Sequence, residues 1–154
     1  MIKEIACDLF NSGAEVIAQC CNCMNTMGGG IAAQIRERFP EVYEDDQSTV
    51  KGDRTKLGTV RFVRLTRGQP PFICANLYGQ YKFGAGARHL NYEAIYRCFT
   101  SLNSLANTEV KIAVPWRIGC NLAGGDWRIV QTMLNSIFED SPRQLIICHR
   151  TGDP

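Results

Sequence analysis

A chain of 154 residues with 45% hydrophobic and 21% charged side chains is long enough for one sizeable core, and its composition excludes a disordered protein. The formal net charge of +2 is too small to demand nucleic acid or a membrane surface as partner. No apolar run approaches the ~20 residues needed to span a bilayer, and Lys3, Glu4 and Asp8 interrupt any signal-peptide core at the N-terminus, so a cytoplasmic protein is expected.

In chain order, the first strand is expected over 2–7 and the second over 15–21, where Glu15-Val16-Ile17-Ala18 opens an apolar run of the kind buried on both faces of a sheet. A Gly-rich turn, Gly28-Gly29-Gly30, leads into a helix on which Ile31, Ile35 and Phe39 recur every four residues until Pro40 stops it. Residues 41–56 carry eight charged side chains from Glu41 to Lys56 and read as a solvated connection with a short helix. The partly alternating run over 59–65 suits an edge strand, and a buried strand follows over 72–78. Asn91, a good N-cap, opens a helix through Tyr92, Ile95, Phe99 and Leu102. A strand over 110–115 is followed by a helix from Asp126, with Val130, Leu134 and Phe138 on one face, and by a last strand over 144–149. Strands alternating with helices predict an α/β layered domain with a mainly parallel sheet, in which ligands bind beyond the carboxyl ends of the strands. Any chemistry is therefore expected in the loops after residues 7, 21, 78 and 115.

Eight cysteines are present, of which Cys7, Cys74, Cys98 and Cys148 fall on apolar strands or helices and read as small core side chains. Cys20 and Cys23 form one C-x-x-C, but no second such pair supplies the four ligands of a zinc site, and a Gly-rich turn stands where a dithiol redox motif needs its helix. His89 and His149 are isolated. Neither a metal nor a cofactor is expected.

Two loops stand out. Three consecutive glycines after the second strand, and Gly119, Gly124 and Gly125 after the fifth, each lie between a strand and a helix. Such glycines permit close approach or positive φ, and free amides at a helix start attract anions with help from the helix dipole. No Lys or Arg lies between Cys20 and Gly30 or between Gly119 and Gly125, so backbone amides would hold a phosphate, unlike the lysine and magnesium of a nucleotide hydrolase.

With these loops in place the chain resembles a macro domain, the ADP-ribose-binding module, along almost its whole length. Cys7-Asp8-Leu9 is similar to the family's Gly-Asp-Ile/Leu, Ala18-Gln19-Cys20-Cys21-Asn22 to its V-N-A-A-N, Gly28 to Ile31 to its G-G-G-[VI], and Pro115 to Gly125 to its second phosphate loop. Gly125-Asp126-Trp127, with Asn91-Tyr92-Glu93, resembles the branch of terminal ADP-ribose hydrolases and ADP-ribose 1''-phosphate phosphatases. The resemblance implies a single macro domain over 1–154, with a three-layer α-β-α fold around a mixed, mostly parallel six-stranded sheet.

It also implies roles. Asp8 would accept from the adenine amino group, with Leu9 beside it. Asn22 and Asn25 would hold the distal ribose in the catalytic set. Gly28, Gly29, Gly30 and Ile31, with Ile118, Gly119, Cys120, Asn121, Leu122, Ala123, Gly124 and Gly125, would wrap the diphosphate and that ribose. Tyr78 and Gln80 would line the pocket. Asp126, on its own an N-cap, would also face the anomeric carbon of the distal ribose (C1'') and activate water or stabilise oxocarbenium charge. Gln80 stands where one glycohydrolase subgroup has a lysine, and a carboxamide forms no Schiff base; Lys82 would substitute only if the alignment slips. The expected partners are ADP-ribose, its C1'' derivatives or an ADP-ribosylated protein. The leading activity is hydrolysis of ADP-ribose 1''-phosphate, ADP-ribosyl esters or O-acetyl-ADP-ribose, and the alternative is a non-catalytic reader. A different nucleotide-binding α/β protein would instead bind NAD or ATP equally well.

Overall fold

The computed structural model describes residues 1–150, so the last four residues of the expected single unit lie outside the described residues. Six strands, β1 (Ile2–Ala6), β2 (Val16–Asn22), β3 (Val60–Arg64), β4 (Ile73–Gln80), β5 (Ile112–Pro115) and β6 (Leu145–His149), form one sheet in the order β1-β6-β5-β2-β4-β3. All neighbours are parallel except β3, which runs antiparallel to β4 at the edge, the half-exposed place its alternating sequence predicts. The helices are α1 (Gly30–Arg38), α2 (Pro40–Gln47), α3 (Tyr92–Asn103) and α4 (Trp127–Phe138).

Alternation along the strands sorts the side chains into two cores. Val16, Ala18, Ala75, Leu77, Ile112, Val114, Leu145 and Ile147 face α3 and α4, joined by Ile95, Phe99, Val130, Leu134 and Phe138. Ile17, Cys74, Ala113 and Ile146 point to the other face and meet Ile35 of α1, Val42 of α2 and Phe39 between them. A period of two on strands and near 3.6 on helices leaves each element one buried face, and stacking these faces produces three layers. Among the described residues no helix is long and apolar enough to cross a membrane.

Two boundaries differ from the sequence reading. Pro40 ends α1 as expected, but it also occupies the first turn of α2, where a missing N–H costs nothing and a fixed φ suits a helix. Phe39, at φ −132° and ψ 77°, is the whole connection, and its N–H still bonds Ile35 O at 2.7 Å. Strand β4 runs two residues past position 78, carrying Gly79 and Gln80 to the sheet edge, where a register shift pairs Asn22 with Gln80.

A polar network lies beneath the α2 side of the sheet. The Tyr78 hydroxyl donates to Asp46 Oδ1 at 2.6 Å, and both residues are buried. Lys56 Nζ donates to Asn25 Oδ1 at 2.7 Å and Thr49 Oγ1 at 2.9 Å. Removing one member of a buried pair leaves the other unsatisfied, so Tyr78→Phe is expected to cost about 1–3 kcal/mol in urea unfolding. Burial raises the Asp46 carboxyl above its ordinary value of 3.8, against the donation from Tyr78 that lowers it. Stability tied to this group is therefore full below the ordinary carboxyl range and lost as pH rises through the raised value, and Asp46→Asn should flatten that part of the stability–pH curve.

Candidate functional site

Five parallel strands end at one edge of the sheet, and the loops that follow them enclose a continuous groove of three connected cavities. The central one, about 150 Å³, is walled by Gly29, Gly30, Ile31 and Ala32 on one side and by Pro115 to Gly119 and Asn121 to Ala123 on the other, with Cys20 and Gln80 at its floor. It shares Cys20, Gly29, Ala32, Gln80 and Leu122 with a larger cavity of about 660 Å³ lined by Asn22, Thr26, Gly28, Arg36, Tyr43 and Phe83. At the other end it shares Gly30, Ile31, Pro115, Trp116 and Asn121 with a cavity of about 190 Å³ containing Asp8 and Leu9. The larger cavity alone falls in the ~300–1,000 Å³ range of small-molecule sites.

The start of α1 explains the triple glycine. Asn91 caps α3 and Asp126 caps α4 through their side chains, but the N-cap of α1 is Gly29 and no side chain bonds its first amides. Those amides, with the positive end of the helix dipole, lie against the central cavity. A Cβ on Gly29 would stand 3.0 Å from Cδ1 of the exposed Leu122 side chain, so Leu122 of the second loop reaches over the first and would have to shift to admit a side chain at position 29. In the second loop Gly119 takes φ +76° and its missing Cβ leaves room for Leu90, whose methyl would otherwise lie 2.9 Å away. The loop is braced internally by Gly124 N–H to Asn121 O at 3.1 Å and Gly125 N–H to Gly119 O at 3.0 Å.

Most of the expected residues meet in this groove: Asp8, Leu9, Asn22, Asn25, Gly28, Gly29, Gly30, Ile31, Gln80, Ile118, Gly119, Asn121, Leu122 and Ala123 all contribute to its walls. Asp8 Oδ1 accepts from Phe10 N at 2.8 Å, capping the 3-10 turn Leu9–Asn11 at the groove's end. The Asn22 amide is engaged within its own loop, donating to Thr26 Oγ1 at 2.8 Å and accepting from Met24 N at 2.8 Å. Asn25, at φ +57°, turns its side chain to Thr49 O and Lys56 Nζ, so its amide is held by the α2 side. Gln80 Nε2 donates to Lys82 O at 2.9 Å, and its carboxamide reaches both the central and the larger cavity.

Three sets of expected residues lie off these walls in the structure. Tyr78 is fully buried and bonded to Asp46, and lies on the wall of none of the three cavities, because β4 turns this side chain into the network below the sheet. Cys120, Gly124 and Gly125 sit behind the loop, where Cys120 is buried with the α3–α4 core and Gly125 is crowded by Leu90. Asp126 is outside the walls as well. Its Oδ1 accepts from Arg128 N at 2.9 Å, and the Arg128 guanidinium forks over both oxygens at 3.2 and 2.8 Å. That fork holds the carboxyl below its ordinary range. Lys82 lies with Lys51 and Met24 in a surface hollow that shares Thr26 and Phe83 with the larger cavity, and is not on the wall of that cavity itself.

Several wall residues were given no role from sequence, among them four aromatic or cationic side chains. Arg117, at φ +61°, and Trp116 line the central cavity, and the Trp116 ring stacks on His149 with centroids 4.8 Å apart. Arg36 reaches the larger cavity from α1 while covering the Tyr43 ring at 3.7 Å, and Phe83 is exposed at the far wall. A cation on an outward helix face and an aromatic at a strand end carry no signal in sequence, whereas Arg117 could have been found from its place in the Pro115–Gly125 loop. The central and larger cavities thus have two arginines and no carboxylate or histidine on their walls, while the far end carries one carboxylate, Asp8, and one guanidinium, Arg150. Burial pushes the Cys20 thiol up to about 12, so it is no base or nucleophile near neutral pH. The groove is built to hold an anion at its centre and a hydrogen-bond donor at one end.

Comparison with known proteins agrees with this geometry. A family model described as the macro domain matches residues 18–134. A 17.5 kDa protein of Enterobacteria phage T4 is 34% identical over 139 residues, covering 88% of this chain and 86% of that protein. An ADP-ribose 1''-phosphate phosphatase of Debaryomyces hansenii is 28% identical over 167 residues, covering 88% and 93%. The macrodomain of Mycobacterium tuberculosis DarG superposes with a TM-score of 0.77 at 24% identity, covering 97% of this chain and 98% of that one. The six-stranded mixed sheet, the two glycine loops and these matches together make this chain a member of the macro domain family.

Proposed function

We propose that this protein binds ADP-ribose along the groove and hydrolyses a group from C1'' of its distal ribose, with ADP-ribose 1''-phosphate as the leading substrate. The observation that carries the reading is the meeting of two glycine loops over an uncapped helix N-terminus, between walls free of carboxylates. A diphosphate fits there, held by amides and flanked by Arg117. Adenine then reaches Asp8, whose carboxylate accepts from an amino group, and the distal ribose enters the larger cavity beside Asn22 and Gln80. The Debaryomyces hansenii relative, named for phosphatase activity at this carbon, supports hydrolysis. ADP-ribosyl esters and O-acetyl-ADP-ribose share the same scissile carbon and are the next substrates.

With Asp126 off the cavity walls and paired to Arg128, and Cys20 protonated, the wall supplies positioning and charge stabilisation and no side-chain base. A base is then the substrate's own phosphate, or Asp126 after its fork opens. The same lack of a wall carboxylate favours the second reading, a reader that binds ADP-ribose without turnover.

Calorimetry should show ADP-ribose binding well ahead of NAD or ATP, and phosphate should be released from ADP-ribose 1''-phosphate; equal affinity for the three nucleotides would remove the macro-type assignment of the groove. Asp8→Ser keeps a capping oxygen but cannot reach the base, so it should weaken ADP-ribose by about 1.5–3 kcal/mol, tenfold or more, at unchanged melting temperature.

Gly29→Val puts a branched side chain where the loops touch and should abolish binding while the exposed turn leaves the fold intact. Asp126→Ala should lower the melting temperature slightly through the lost cap and leave the dissociation constant of ADP-ribose in place. Turnover that survives in that variant makes Asp126 a helix cap only, and turnover that vanishes shows that the fork opens in the complex.

A further inference from the structure

Two thiols meet at the Asp8 end of the groove. Cys7 Sγ and Cys148 Sγ are 3.0 Å apart, although 141 positions separate them in sequence. Both cysteines are reduced, and both line the cavity that contains Asp8. Cys7 follows β1 on the last rung of its ladder, with its N–H bonded to His149 O at 2.9 Å, and Cys148 is the neighbouring β6 residue on the same core face. A separation of 3.0 Å lies inside ordinary sulfur–sulfur contact and about 1 Å from a covalent bond of ~2.05 Å. No other pair among the cysteines of the described residues has a recorded sulfur–sulfur contact.

We propose that Cys7 and Cys148 form an oxidation site that a peroxide closes to a disulfide, and that ligand in the groove controls access to it. Cys7 is half-buried on the cavity wall and is the thiol that a peroxide meets, whereas Cys148 is almost wholly covered. The Cys7 sulfur attacks one peroxide oxygen and the O–O bond breaks. One water leaves, and Cys7 is carried to the sulfenic acid. The Cys148 sulfur then displaces the hydroxyl from Cys7, forming the S–S bond and releasing the second water. Two thiols are thus oxidised by two electrons and one peroxide is reduced to two waters. Cys148 is almost wholly covered, which keeps it from direct attack on the oxidant, and its sulfur, 3.0 Å from Cys7 Sγ, is placed for the second step. Cys7 adjoins Asp8, so the bond pins the corner that this carboxylate occupies. The coupling to ligand rests on the ADP-ribose reading above; the disulfide itself does not.

The test is peroxide treatment of the full chain followed by mass spectrometry of proteolytic peptides. The expected result is one cross-linked species joining Cys7 to Cys148, absent from Cys7→Ser and from Cys148→Ser, with the remaining cysteines free and the melting temperature raised. Over-oxidised Cys7, or cross-links through other cysteines without this one, overturns the site. ADP-ribose at about 100 times its dissociation constant leaves about 1% of the protein free, so cross-linking should slow by up to about 100-fold. A rate unchanged when calorimetry shows ADP-ribose bound overturns the coupling. Cross-linking in a protein that binds no ADP-ribose supports the dithiol while removing the functional reading, which keeps the two failures apart.

Discussion

Parallel strands that all finish at one edge leave a row of chain ends, and every one must be followed by a segment that climbs away from the sheet. In this protein five strands end together, and in two of the following glycine-rich loops the Leu122 side chain of one reaches over Gly29 and Gly30 of the other. The first amides of α1 consequently face the gap with no side chain to cap them. Everything that makes the groove a site depends on that gap: its narrow centre, walled by uncapped amides and flanked by Arg117, and its division into a small end that holds Asp8 and a large open one. The other long helices show the contrast. Asn91 and Asp126 satisfy the starts of α3 and α4, so those ends are closed to a ligand and serve the fold.

Support for the groove comes from below. The loop after β2 carries Asn22 and Gly28, yet its shape is set by Asn25, which Lys56 and Thr49 grip from the far side of α2. Lys56 in turn lies 5.5 Å from the Tyr78 ring, whose hydroxyl holds Asp46. Residues that read as ligand contacts therefore split into a wall and a frame, and Tyr78 and the Asn25 amide belong to the frame. A buried network of this kind is costly unless every member finds a partner, which gives the loop one shape rather than several. At the opposite end the Cys7–Cys148 pair occupies the corresponding position beneath Asp8, so each end of the groove rests on buried polar or thiol side chains rather than on bare apolar packing.

Legibility followed the range of the forces involved. The caps at Asn91 and Asp126, the periodicities of α3 and α4 and the buried runs of β2 and β5 are local, and the structure has them where the pattern placed them. Pro40 was read correctly as a stop, but its equal fitness as a helix start was not drawn from the same physics. The charged stretch after it hid a network, because Asp46 and Lys56 look like solvated surface until Tyr78 and Asn25 are placed over them. Arg36, Trp116 and Phe83 reach the groove from elements with no motif of their own.

The sequence by itself determined the layers, the parallel sheet and the family, since hydrophobic period, turn glycines and short motifs act over a few residues and need no partner. It also determined that Gln80 is a carboxamide, which excludes a covalent amine at that place. Only the tertiary structure decided where side chains point once two segments meet. Asp126 faces Arg128 rather than the groove, Tyr78 faces Asp46, and two cysteines from opposite ends of the chain touch. Each of these outcomes is a choice between competing partners at hydrogen-bond or contact distance. That choice is made by packing among residues far apart in the chain, which no local pattern records.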